Sequence, residues 1–204
     1  MADTKLSALT AVTGVNIGET DEVYVNDGGT SKRATLAELR NALGLYTKRL
    51  SADLANSSTT AAKVTGLDLA LPTGTFQFTY MIRYQAAAAT TGVKFDVNFS
   101  GTVTAFNWNQ RWSDVSSTAS SAVPDQDNIG AAGHVMGSFA SRAKGTAGRG
   151  VTLSVDTANA DMLMVIEGMA EVTAAGNLEL YHGSEVAAAS TVMLGSSICV
   201  IRMI

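Results

Sequence analysis

Residues 76–84 alternate strictly: Phe76, Phe78, Tyr80, Ile82 and Tyr84 take one parity, while Gln77, Thr79 and Arg83 take the other. A period of two is the pleat of a β-strand with one apolar face, so this stretch predicts a half-buried strand. Residues 93–99 repeat the pattern, with Val93, Phe95, Val97 and Phe99 set against Lys94, Asp96 and Asn98. Residues 102–108 follow directly after Ser100-Gly101, and so short a turn predicts a hairpin between the two strands. Further strands are expected over 135–141, 151–155, 162–172, 178–182, 191–194 and 198–204, separated by turn residues such as Ala175-Gly176-Asn177 and Gly195-Ser196. About nine strands with no long amphipathic helix predict a mainly β domain, an antiparallel two-sheet jelly-roll sandwich.

Two stretches break the alternation. Met162-Leu163-Met164-Val165-Ile166 and Ile198-Cys199-Val200-Ile201 are apolar at both parities. The outer face of a two-sheet sandwich meets water, so a strand apolar on both sides implies cover from outside. A partner copy is the simplest cover, and a central strand lying under a loop is the other reading. On the first reading Met162, Met164, Ile166, Ile198, Val200 and Ile201 are expected at an oligomer interface.

A different pattern precedes the strand-rich part. Val23-Tyr24-Val25 predicts a short strand, and Asn26-Asp27-Gly28-Gly29 supplies turn residues that tolerate positive φ. Thr35-Leu36-Ala37-Glu38 has capping-box spacing, in which the Thr35 hydroxyl accepts from the Glu38 N–H and the Glu38 carboxylate reaches back to Thr35. Leu36, Leu39 and Leu43 share one face, and Gly44 is a natural left-handed stop, so a helix of about two turns is expected. A helix this short, in about 40 residues, buries too little surface to stand alone. Residues 1–45 therefore read as an attachment module built of a small β-hairpin and a short helix, with Leu6, Leu9, Val23, Val25, Leu36, Leu39 and Leu43 as its docking contacts. Residues 46–61 carry Ser51, Asn56, Ser57, Ser58, Thr59 and Thr60 without apolar periodicity and read as a polar linker to a domain over 62–204.

Composition narrows the function classes. Charged residues are 16% of the 204, and the 14 Lys and Arg are outnumbered by 18 Asp and Glu. A net charge of -4 with a pI near 5.1 leaves no electrostatic footprint for nucleic acid or an anionic membrane surface, so neither is expected as a partner. Mean hydropathy of +0.15 is spread along the chain, and no uninterrupted apolar run is long enough for a membrane helix. Met1-Ala2-Asp3-Thr4-Lys5 lacks the basic-then-apolar order of a secretory signal, so no export signal is expected there. The single cysteine, Cys199, has no intrachain disulfide partner and, between Ile198 and Val200, reads as a buried inert thiol.

Groups that could do chemistry are few. His134 and His182 are the only histidines, and neither a Gly-x-Ser-x-Gly elbow nor a His-Glu-x-x-His pair occurs. The carboxylates are scattered, so no enzyme activity, catalytic residue, cofactor or metal is expected. Asp125-Gln126-Asp127-Asn128-Ile129-Gly130 opens like a calcium loop, but Ile129 and Met136 stand where the fifth and twelfth ligands belong, which leaves a polar turn. The stretch 142–150, rich in Arg, Lys and Gly, lacks the Gly-Lys-Ser/Thr ending of a phosphate loop and reads as a connection between strands. Residues 107–112 hold both tryptophans among amides. Trp108 and Trp112 could stack on pyranose rings while Asn109 and Arg111 bond hydroxyls; equally, the tryptophans could fill a core or meet a neighbouring protein.

The segment Lys5-Leu6-Ser7-Ala8-Leu9, followed by Thr20-Asp21-Glu22-Val23-Tyr24-Val25-Asn26-Asp27-Gly28-Gly29-Thr30-Ser31-Lys32-Arg33-Ala34-Thr35-Leu36-Ala37-Glu38-Leu39, resembles the N-terminal segment common in bacteriophage tail, fibre and head-attached structural proteins. Ile166-Glu167-Gly168, Ala174-Ala175-Gly176-Asn177-Leu178-Glu179-Leu180 and the ending Gly195-Ser196-Ser197-Ile198-Cys199-Val200-Ile201-Arg202-Met203-Ile204 resemble the last strands of tumour necrosis factor-like jelly rolls of phage virion proteins, which are typically trimers. The resemblance implies a virion protein assembled in the bacterial cytoplasm, with an N-terminal anchor to capsid or tail and a trimeric head. Its doubly apolar strands would lie near the threefold axis. A decoration protein, head fibre or short spike is the role implied; a tail-associated adhesin recognising host surface glycans through Trp108, Asn109, Arg111 and Trp112 is the alternative.

Overall fold

The computed structural model describes residues 22–27, 30–89, 91–114, 135–142, 150–151 and 158–203, and it falls into two compact units, Met1–Gly44 and Leu45–Ile204. Leu6, Leu9, His134, the 125–130 turn and most of the 142–150 stretch lie outside the described residues.

In the first unit, β1 (Glu22–Asp27) pairs antiparallel with β2 (Thr30–Thr35), Asp27 standing opposite Thr30 and Val23 opposite Ala34. This is the small N-terminal hairpin that the turn residues after Val25 predict, although β2 itself carries no apolar alternation. Helix α1 (Leu36–Ala42) begins with the anticipated capping box, since Glu38 N donates to Thr35 Oγ1 at 3.1 Å and Thr35 N donates to Glu38 Oε2 at 2.7 Å. The backbone donor of Thr35 holds the Glu38 carboxyl below its ordinary pKa. Gly44 takes φ 76°, the left-handed stop read from the sequence. Leu36 and Leu39 are half-buried, Leu43 is 81% exposed, and the Val25 side chain lies outside the description.

The second unit is a mainly β sandwich of two antiparallel sheets. Its strands are β3 (Leu45–Arg49), β4 (Leu54–Asn56), β5 (Ala62–Lys63), β6 (Leu69–Leu71), β7 (Gly74–Ala86), β8 (Val93–Phe99), β9 (Thr102–Asp114), β10 (Val135–Arg142), β11 (Gly150–Val151), β12 (Met162–Ala174), β13 (Gly176–Ser184), β14 (Ser190–Val192) and β15 (Ser197–Met203). The large sheet runs β10-β9-β12-β7-β14-β4, and β15 lies between β7 and β3. The small sheet runs β11-β8-β13-β5, with β6 also on β13.

The stretch expected to be a linker, 46–61, is part of this sandwich. β3 pairs with β15 from Leu45↔Ile201 to Arg49↔Ser197, β4 pairs with β14, and Tyr46 and Leu50 are buried. These are short strands in which only one or two side chains face the core, so their apolar period is too brief to show.

The alternating strands point inward as read. Phe76, Phe78, Tyr80, Ile82 and Tyr84 from β7 meet Val93, Phe95, Val97 and Phe99 from β8, and all are essentially solvent-free. Tyr84 packs edge-on to Phe95 across the two sheets, ring centroids 5.5 Å apart. The predicted hairpin between 93–99 and 102–108 does not form. β8 pairs with β13 in the small sheet, whereas β9 pairs with β12 in the large one. Residues 93–114 and 162–184 thus make one long antiparallel ribbon, bent between the sheets at Ser100-Gly101 and Ala175-Gly176. At the bend Ser100 N donates to Asn177 O (2.9 Å) and Asn177 N donates to Ser100 Oγ (2.8 Å). Alternation reports which face of a strand is apolar; it does not report the partner, and here the corner leaves Ser100-Gly101 as a crossover.

Candidate functional site

The two sheets present different outer faces. On the small sheet the outward positions are polar and mutually bonded: Lys63 Nζ donates to Glu179 Oε1 (3.0 Å), and Tyr181 Oη and Asn98 Nδ2 donate to Glu179 Oε2 (3.2 and 3.4 Å). The bond to Glu179 holds the Lys63 ammonium above its ordinary pKa, and burial, then the nearby Glu179 charge, raise the Tyr181 phenol. These outward groups are closed on one another, with Glu179 only 8% exposed.

The large sheet is different. Its register sets Asn107, Met169, Gln77, Ile201 and Leu45 in one row across five strands. The next row is Asn109, Glu167, Thr79, Cys199 and Thr47, and the third is Arg111, Val165, Met81, Ser197 and Arg49. Met81, Met169, Ile201 and Met203 are each half exposed, and Leu163 is 43% exposed. Two ion pairs lie on this face: Arg111 Nη2 meets Glu167 Oε2 and Arg83 Nη2 meets Asp161 Oδ2, both at 2.6 Å. The Arg83 bond, with one from Gln85, keeps the Asp161 carboxyl below its usual range. A shallow depression of about 490 Å³ lies on the same face, bordered by Gln77, Asn107, Asn109, Glu167, Met169 and Glu171.

This arrangement corrects the residues expected at an oligomer interface. Met162, Met164, Ile166, Ile198 and Val200 point into the sandwich and are at most 6% exposed; of the six, only Ile201 lies outside. Both parities of these strands are apolar, and the sequence pattern alone cannot say which one faces the opposite sheet. The outward set is Leu163, Val165, Met169 and Ile201, together with Met81, which stood among Gln, Thr and Arg on the polar parity of its strand. Cys199 likewise sits on the outer face, partly exposed, instead of in the core.

The glycan cluster is also divided. Trp108 is 2% exposed and lies in the core, because its parity matches that of Phe106 and Gln110 on β9; its ring is not available to stack on a sugar. Asn109 and Arg111 face outward, with Arg111 engaged by Glu167. Trp112 pairs through its backbone with Met164, and its side chain lies outside the description. The expected anchor contacts Leu36, Leu39, Val23 and Leu43 all lie in the first unit, and Val23 and Leu43 are exposed there.

His182 is in the core at 3% exposure, with its ring stacked on Phe95 at 6.5 Å. Burial holds the imidazole below its ordinary value of 6.5, and the backbone at Ser190 opposes this only in part. The unfolded chain therefore takes up a proton before the folded chain does as pH falls. Stability is untouched by this group above about pH 6.5 and declines below it, until the folded value is passed. Urea midpoints measured from pH 7.5 to 5 should fall for the natural chain and fall less steeply for His182→Gln; parallel slopes would remove His182 as the cause.

No protein-family model matches this chain, and no curated protein is significantly similar to it. Among the described residues, no helix is long and apolar enough to cross a membrane, and no three His, Cys, Asp or Glu side chains are grouped to hold a metal ion.

Proposed function

We propose that this chain is a non-enzymatic structural protein of a bacteriophage particle, a homotrimer held on the capsid or tail by residues 1–44 and projecting the sandwich as a jelly-roll head. Decoration protein, head fibre and short spike are the forms this role takes. The observation that carries the reading is the division into two units of unequal sufficiency. The sandwich has a continuous aromatic and aliphatic core of its own. Among the described residues, the first unit holds a hairpin and a seven-residue helix, with Leu43 and Val23 exposed. A piece that small is stabilised by docking, and apolar side chains left outside are the means. Three anchors on one trimer raise the effective concentration of each, so individually weak contacts hold the assembly. The ribbon bent from one sheet into the other supports the jelly-roll winding of the head.

Cryo-electron microscopy of phage particles assembled with the full chain or with residues 45–204 alone tests this. The full chain should give threefold-symmetric density at the particle surface, and the truncated chain none. Full occupancy by the truncated chain would overturn the anchor assignment. A glycan-binding adhesin is the second reading, favoured by the outward amides of Asn107 and Asn109 beside the depression; Trp108 also borders it, but its ring is buried and does not stack on a sugar. Binding to a glycan array by the purified protein, lost on Asn109→Ala, would move that reading to first place.

A further inference from the structure

We infer that the outer face of the large sheet, centred on Met81, Leu163, Met169 and Ile201, is the surface on which a second copy of this chain seats. The inference deepens the homotrimer reading above and rests on it, and it names a different surface from the one the sequence pattern suggested.

Size is the first argument. β7, β9 and β12 run side by side for about nine residues, and β15 and β3 add seven and five, which at about 4.8 Å between strands and about 3.4 Å per residue makes a face of roughly 600 Å². That approaches the roughly 800 Å² per partner of a stable protein interface, with Met81, Leu163, Met169 and Ile201 as its apolar part. Position is the second. The half-exposed methionines, Leu163 and Ile201 stand on β7, β12 and β15, the middle strands of the sheet, where edge effects do not account for them.

Charge selects the occupant. A partner of another kind, recognised electrostatically, requires a field of one sign on the face. Here the arginines of β7 and β9 are closed onto Asp161 and Glu167 within the face itself. With Arg49 and Glu171 also on it, the face carries three charges of each sign and no net field, so it meets another copy without like-charge repulsion. The middle row supplies the fit: Thr47, Thr79 and Cys199 are small, so a second backbone can approach while Met169, Met81 and Ile201 interdigitate around them. The small sheet offers no such surface, because its outward groups are polar and bonded to Glu179.

The test is sedimentation of the full chain at micromolar concentration, beside the double variant Met169→Glu with Ile201→Glu and a control, Val186→Glu, which makes the same chemical change at an exposed apolar position off the sheets. The natural chain and the control should sediment as oligomers, and the double variant as a monomer with the far-ultraviolet spectrum of a folded sandwich. An oligomeric double variant overturns this surface while leaving the homotrimer reading in place. A natural chain that is monomeric overturns both this interface and the homotrimer, and the anchor assignment is still decided by the truncation experiment. Should the double variant fail to fold, Cys199 in the natural chain answers instead. Its thiol lies on the face, so its maleimide labelling should slow about tenfold as concentration drives association, and a rate independent of concentration overturns the proposal.

Discussion

Trp108→Ala is expected to destabilise the sandwich by about 3–5 kcal/mol, a loss read from the urea midpoint of the purified chain. The indole lies in the core, and the register explains its weight. Gly168 on β12 stands between Trp108 on β9 and Phe78 on β7, and a side chain at residue 168 would run into both neighbours. The two aromatic residues fill the space over that glycine, and Phe78 in turn stacks on Phe106 at 5.8 Å. Truncating the indole opens a cavity that the strand backbones, held on both sides by ladder hydrogen bonds, cannot collapse to fill. Against a total of about 5–15 kcal/mol for a folded domain, this is a large fraction. An exposed sugar-stacking tryptophan behaves differently: its removal changes stability by no more than about 0.5 kcal/mol and abolishes adsorption. A stable Trp108→Ala chain would therefore return this residue to the list of ligand contacts.

Gly176→Ala is expected to cost about 3 kcal/mol by the same measurement, for a reason of space and not of backbone angle. A Cβ at residue 176 would be driven against the backbone N of Gly101 and would lie 2.6 Å from its Cα. A Cβ at residue 101 would in turn meet the carbonyl oxygens of Ala174 and Ala175. These neighbours are main-chain atoms on both legs of the bent ribbon, so neither can rotate away. Relief requires opening the corner, which separates β8 and β13 from β9 and β12. A cost below about 0.5 kcal/mol would show that the legs are not in contact at the bend.

Much of the fold was legible because one physical signal, alternation, is strong where a strand is long and half-buried. β7, β8, β12, β13 and β15 all fall where period-two or doubly apolar runs predicted them. The capping box at Thr35 and the left-handed Gly44 were legible for another reason: each is decided by residues within one turn. β3 and β4 were not legible. They are short edge elements whose few inward side chains, such as Tyr46, do not make a period, and a serine- and threonine-rich stretch then reads as linker.

The candidate surface was half legible. Apolar character on both sides of 162–166 and 198–201 signalled that one sheet has something to cover on its outside. The choice between Met162, Met164 and Ile166 on one side and Leu163 and Val165 on the other was not in the pattern, because swapping two apolar parities leaves it unchanged. Met81 and Met169 were passed over because single apolar residues amid polar neighbours carry no period; they join the surface only when β7, β12 and β15 are laid side by side.

The sequence by itself determined the class of structure, the positions of the long strands, the capped helix and where the first unit ends, all properties set by neighbours along the chain. Tertiary structure alone decided the pairing of strands, the bend at Gly101 and Gly176, the burial of Trp108 and the parity that faces water. Those depend on contacts between residues far apart in the chain, where packing of whole faces outweighs any local preference.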